Sequence, residues 1–194
     1  MDDRKKRSVG IILGIAVLFL IVVFNYSFVQ GTYNKMVDYQ EITNSAWADV
    51  ENNLQRRFDL IPNLVSTVKG YAEQEKEVFL GVAQARSQVG AASNRGERIQ
   101  AEQGLSGALS RMMLVVENYP QLKSDQNFKA LQDELAGTEN RLAVSRKRYN
   151  DAVKQYNVTI RQFPAKLIAG FFNFEPREFY EAPQEAQQNP VVEF

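Results

Sequence analysis

Arg4-Lys5-Lys6-Arg7 is followed almost at once by a run, Val9 to Phe24, made only of Val, Ile, Leu, Phe, Ala and Gly. Continued through Asn25-Tyr26-Ser27-Phe28-Val29, the segment is about 20 residues long, and at roughly 1.5 Å per helical residue it crosses a hydrocarbon core of about 30 Å. Residues 9–29 are therefore expected to form a single transmembrane helix. A secretory signal also joins a basic start to an apolar core, but that core is usually about 7 to 15 residues and ends in a small-residue cleavage site. Here the run is longer and Ser27-Phe28-Val29-Gln30-Gly31 is a poor match, which favours an uncleaved anchor. The first basic residue beyond the run is Lys35. Since cytoplasmic flanks carry the excess of Lys and Arg, residues 1–8 are expected in the cytoplasm and the remainder outside.

That remainder is polar and helical in pattern, and composition narrows its chemistry. The 23 basic residues balance 23 acidic ones, so no global field draws in nucleic acid, which is not expected as a partner. The chain has neither cysteine nor histidine. Thiolate ligands, disulfides and the commonest general base and transition-metal ligand are thereby excluded.

Apolar residues recur at steps of three, four or seven from Thr32 to about Val89, among them Met36, Tyr39, Val50, Leu54, Phe58, Ile61, Val68, Phe79 and Val82. This is one face of a long helix. Pro62 should bend it, or else divide it into two helices with Asp59 near a cap. Gly90-Ala91-Ala92-Ser93-Asn94-Arg95-Gly96 reads as a loop, and a second helix is predicted from Glu97 to Asn118, ended by Tyr119-Pro120. A third, from Ser124 to Phe163, has the cleanest rhythm, with Phe128, Leu131, Leu135, Leu142, Tyr149, Ala152, Tyr156 and Phe163 on one face. Such a sustained heptad pattern predicts coiled-coil-like packing, so the fold class expected is all-α, an antiparallel bundle of long helices over residues 32–180. Beyond Pro164, aromatics scattered among prolines suggest a short helix and an extended strap, followed by a flexible Pro/Gln-rich tail over 181–194.

The predicted lengths are unequal: about 87 Å, 33 Å and 60 Å at roughly 1.5 Å per residue. The membrane-proximal half of the first helix would then lack cover within the chain. Ile42, Trp47, Val50 and Leu54 are accordingly expected to contact another copy, giving a homo-oligomer. A split at Pro62 weakens that inference.

No phosphate loop, dinucleotide-binding glycine pattern or metalloprotease helix motif is present. Glu73 and Glu77 lie four apart, and Arg146-Lys147-Arg148 forms a basic run; both read as solvated helix surface. Tyr149-Asn150 and Tyr156-Asn157 repeat at seven residues, a spacing that suits hydroxyls and amides setting helix register, with a ligand groove as the alternative. The ending Val191-Val192-Glu193-Phe194 offers Val191, Val192 and Phe194 as a docking tail, the alternative being a self-packed terminus.

A family resemblance rests on these residues. Ala46-Trp47-Ala48-Asp49-Val50, then Leu54-Gln55-Arg56-Arg57-Phe58-Asp59-Leu60-Ile61-Pro62-Asn63-Leu64-Val65 and Val68-Lys69-Gly70-Tyr71, resemble the most distinctive block of the LemA family. Glu117-Asn118-Tyr119-Pro120, Asn127-Phe128, Thr138-Glu139-Asn140-Arg141 and the two Tyr-Asn pairs add to it. The resemblance implies a single-pass bacterial membrane protein with a helical bundle and no established catalytic activity. The expectation is a non-enzymatic scaffold in the cytoplasmic membrane, without cofactor or metal, with the lipid bilayer, further copies and an envelope protein as partners. Alternatives are a membrane-shaping protein and an accessory factor of a membrane protease.

Overall fold

The computed structural model describes residues 2–181, and every regular element among them is helical. In chain order these are α1 (Asp2–Lys69), α2 (Lys76–Ala91), α3 (Arg95–Val116), α4 (Pro120–Ser124), α5 (Gln126–Arg161) and α6 (Ala165–Phe171). The all-α class and the helix-on-helix bundle agree with the sequence pattern. Two compact units are present: residues up to Thr43 with Ala152–Arg177, and Asn44–Asp151 with the residues from Glu178.

In the first unit, the early part of α1 is the one described stretch long and apolar enough to cross a membrane. Its apolar side chains from Ile12 to Val29 are exposed, with none of the other described residues over them. An uncovered apolar surface of that extent calls for lipid, so α1 is a membrane anchor. Polar groups near its end are satisfied by their own helix, as lipid requires: Asn25 Nδ2 donates to the Ile21 carbonyl and Thr32 Oγ1 to that of Phe28, each at 2.8 Å. Farther along, Met36 packs with Tyr156 and Ile160 of α5 and Ala169 of α6. Gln155 donates to the Tyr39 hydroxyl at 3.0 Å. Tyr33 lies edge-on to Phe172 and Phe174, with ring centroids 4.7 and 5.6 Å away.

In the second unit the predicted 32–89 helix proves to be two helices, though Pro62 is not the break. The first runs straight through Pro62 and ends at Lys69; the chain turns at 70–75 before α2 begins. The apolar rhythm hides this turn because Val68, Ala72 and Val82, on either side of it, all enter the same core. Proline has no N–H to give the Phe58 carbonyl four residues back. Arg86 of α2 takes that place, its Nε donating to the carbonyl in a long 3.4 Å bond while its guanidinium lies 3.9 Å from the centre of the Phe58 ring. The core is completed by Leu105, Leu109 and Met112 of α3, Leu122 of α4 and Phe128 of α5.

Caps set the remaining boundaries. Asn94 Oδ1 accepts from the Glu97 N–H at 2.9 Å, and Glu97 Oε2 accepts in return from the Ser93 N–H at 2.8 Å, a reciprocal arrangement that starts α3. Asp125, rather than the expected Ser124, opens α5: its Oδ1 accepts from the Phe128 N–H at 2.9 Å, and its Oδ2 from the Tyr71 hydroxyl at 3.0 Å. Those bonds hold its carboxyl below the usual aspartate range.

The stretch of α1 around Trp47 is covered within the chain, contrary to the expectation from unequal helix lengths. Within the second unit α5 runs antiparallel to α1, placing Glu134 against Arg56 at 2.9 Å and Tyr149 against Trp47 at 5.2 Å between rings. Trp47, Val50 and Leu54 are consequently buried within one chain, and of the four expected oligomer contacts only Ile42 is exposed. The error lay in an overlong first helix, because ending α1 at Lys69 shortens what α5 has to cover. Phe163, assigned to the apolar face of the third helix, is 82% exposed, since α5 ends at Arg161 before reaching it.

Candidate functional site

The Tyr-Asn repeats of α5 face the irregular segment that follows α6, residues 174–181, here termed the strap. A carboxamide carries one acceptor and two donors, enough to engage both main-chain polar groups of a single residue. In the second unit, Asn150 Nδ2 donates to the Tyr180 carbonyl at 2.9 Å and the Tyr180 N–H returns a bond to Asn150 Oδ1 at 2.8 Å. The Tyr149 hydroxyl donates to the Glu178 carbonyl at 2.9 Å. The first unit contains the same device. Asn157 exchanges two bonds of 2.8 Å with Arg177, and the Tyr156 hydroxyl donates to the Glu175 carbonyl at 3.0 Å.

Each pair thus makes three bonds to strap main chain, with its tyrosine ring fully buried. Seven residues separate the pairs along α5 and three separate their targets along the strap. Seven helical residues rise about 10.5 Å and three extended residues about 10 Å, so a heptad in one matches a triplet in the other. The hydroxyls and carboxamides of the four residues expected to set register between helices reach the strap, while the Tyr149 and Tyr156 rings pack against Trp47 and Met36 of α1. Burial pushes the Tyr156 hydroxyl above its ordinary pKa, which keeps it a donor.

Beneath the strap, within the second unit, lies a charge cluster. Glu102 of α3 is completely buried, and neither of its carboxylate oxygens accepts a hydrogen bond among the described residues. Burial raises its pKa, opposed by the positive charges of Arg57, Arg98 and Arg146. Glu139 bridges two of these arginines, accepting from Arg57 Nη1 at 2.8 Å and Arg146 Nη1 at 3.3 Å. The Arg146 guanidinium also lies 4.7 Å from the centre of the Tyr180 ring, and the buried Tyr180 hydroxyl has its pKa raised by desolvation. The end of the strap is therefore held by main-chain bonds and by a cation stacked on its one buried aromatic.

Arg146 departs from the solvated basic run expected at 146–148, of which only Lys147 and Arg148 are exposed. Glu73 and Glu77 are both exposed and do not share a helix, because Glu73 lies in the turn before α2. The signal for Glu102 was present: it is three residues from both Ile99 and Leu105, in phase with the buried face of α3. Arg57 has the same mark, three residues after Leu54 and four before Ile61 on the buried face of α1; Tyr180 has none.

A groove of about 470 Å³ runs beside the strap, lined by Ile99, Gln100 and Gln103 of α3 and by Glu178, Phe179 and Glu181. Two of these residues are joined by a hydrogen bond, Gln103 Nε2 donating to the Glu181 carbonyl at 3.1 Å. Glu102 is not among the lining residues, so the acid with the raised pKa does not open onto this groove. No three carboxylates converge on a common point among the described residues. The expected docking residues Val191, Val192 and Phe194 lie outside the described residues, as does most of the 181–194 tail.

The sequence pattern of the LemA family matches residues 46–194, beginning one residue before Trp47. Two proteins of Paramagnetospirillum magneticum, magnetosome proteins MamQ 1 and MamQ 2, are each 27% identical over 187 residues, covering 82% of this chain and 68% of theirs. Magnetosome protein MamQ of Magnetospirillum gryphiswaldense is 26% identical over 214 residues, covering 96% of this chain and 77% of its own.

Proposed function

The chain belongs to the LemA family, and from that premise we propose that it is a non-enzymatic, membrane-anchored helical scaffold. The observation that carries this reading is the strap: six side-chain bonds from Tyr149, Asn150, Tyr156 and Asn157 go to its main chain. The residues that follow the strap, 182–194, are the segment this reading assigns to partner contact, with Val191, Val192 and Phe194 as the side chains that would meet an envelope protein. The polar groups near the strap support the same reading, since Glu139 ties Arg57 to Arg146 within the bundle and Glu102 lies fully buried beside them. The basic Arg4-Lys5-Lys6-Arg7 flank supports a cytoplasmic N-terminus and an outward-facing bundle in the cytoplasmic membrane of a bacterium.

Self-association remains part of the proposal, now resting on the exposed Ile42. Light scattering of the detergent-extracted full-length protein, corrected for detergent, should give a discrete mass of several chains. A monomer would remove the oligomer from the reading. Deleting residues 190–194 should abolish crosslinking to an envelope protein without changing that mass; crosslinking that persists would remove the tail as a docking element.

A further inference from the structure

The first unit carries an apolar surface that the bundle does not use. In α6, Ala165, Ile168 and Ala169 pack against α1 and α5, while Leu167 and Phe171, on the opposite side, are 67% and 82% exposed. Phe163 just before the helix is equally bare, and Phe172 adds a ring 5.0 Å from that of Phe171. The exposed apolar residues Leu80 and Leu114 stand singly on α2 and α3, whereas Phe163, Leu167 and Phe171 follow one another at steps of four, the last two on the unpacked face of α6. Contiguous patches of this kind mark an interface.

The neighbour of this patch identifies its occupant. Phe172 and Phe174 pack on Tyr33, and Tyr33 lies four residues past Val29, about 6 Å along the axis of α1. A bilayer's polar region is about 5–7 Å deep on each side of its hydrocarbon core. Tyr33 therefore sits at headgroup level, where tyrosines and tryptophans collect, and α6 is held against it. Charge agrees: from Ala152 to Phe174 the chain has Lys154, Arg161 and Lys166 and no acidic residue. Basic residues beside an apolar face suit anionic headgroups.

We propose that Phe163, Leu167 and Phe171 insert into the leaflet from which α1 emerges, making α6 a second membrane contact beside the anchor. The site takes phospholipid, with Arg161 and Lys166 favouring an anionic headgroup. It rests on α1 spanning the bilayer and is independent of the scaffold role and of any docking tail.

The chain has no cysteine, so single-cysteine labelling tests this directly in the full-length protein. Leu167→Cys and, separately, Phe171→Cys would carry an environment-sensitive fluorophore after reconstitution into vesicles of mixed zwitterionic and phosphatidylglycerol lipid. Both side chains are exposed, so the labels leave the packed face of α6 intact, which circular dichroism verifies. Phe24→Cys serves as the lipid control and Asp38→Cys as the aqueous one. The expected result is strong quenching at 167 and 171 by spin-labelled lipid carrying its nitroxide near the carbonyl level, with little quenching by iodide. Quenching by iodide to the extent seen at position 38 would overturn the proposal. Resistance to both quenchers would overturn it in favour of a second chain covering the face. Loss of lipid quenching at position 24 as well would instead implicate the anchor assignment.

Discussion

Asn150 engages both polar groups of Tyr180 with a single carboxamide, so the informative substitution is one that keeps its shape and removes its donor. Asn150→Asp leaves the Tyr180 carbonyl facing a carboxylate, whereas Asn150→Ala admits water. The aspartate should therefore be the worse variant, losing about 1–3 kcal/mol where alanine loses about 1 kcal/mol, read from urea unfolding of both. Glu102 makes a different prediction because its folded pKa is raised. An acid with a raised folded pKa holds its proton longer in the native state, so stability falls as pH rises from the unfolded pKa through the folded one. Glu102→Gln should melt at a higher temperature than wild type at pH 8 and at the same temperature below the ordinary glutamate pKa. An unchanged difference across that range would show that the effect is packing alone. Glu102 and Arg57 were legible as polar residues in an apolar phase; Tyr180 was not, because nothing in its local pattern departs from surface.

At the level of elements, the continuity of α1 depends on Arg86 standing in for the donor that Pro62 lacks. Arg86→Ala should cost about 1–2 kcal/mol by orphaning the Phe58 carbonyl and losing the stacked guanidinium. In a Pro62→Ala background the helix regains its own N–H, so the same change should cost less. A double-mutant cycle on thermal unfolding measures that coupling, and strict additivity would refute it. The heptads of α5 were readable from sequence because one uninterrupted face is buried along their length. The end of α1 was not, since Gly70 interrupts the backbone without interrupting the apolar rhythm, and both helices supply the same core. Nor could Arg86 be found from spacing: its partner is a carbonyl made vacant 28 residues earlier in the chain.

For the whole molecule, the anchor and the bundle are separable in physical terms, because the side chains from Ile12 to Val29 cover nothing else among the described residues. A chain beginning at Gln30 should keep the helical ellipticity of α2 to α6 and remain in the supernatant without vesicles. If α6 meets lipid as argued, the same chain should sediment partially with phosphatidylglycerol vesicles and be released by salt. Loss of helicity on truncation would mean that the anchor contributes to folding beyond tethering. The membrane helix and the all-α class could be read from hydropathy and period, and the strap's destination could not, because its recognition is by main chain. That last feature bears on how the protein can change over generations. A grip on amide and carbonyl groups is blind to what the strap's side chains are, so substitutions at Glu175, Arg177, Glu178 or Phe179 can accumulate while the strap keeps its course. The outward text of that segment is free to diverge between lineages, and the line on which it is written is not.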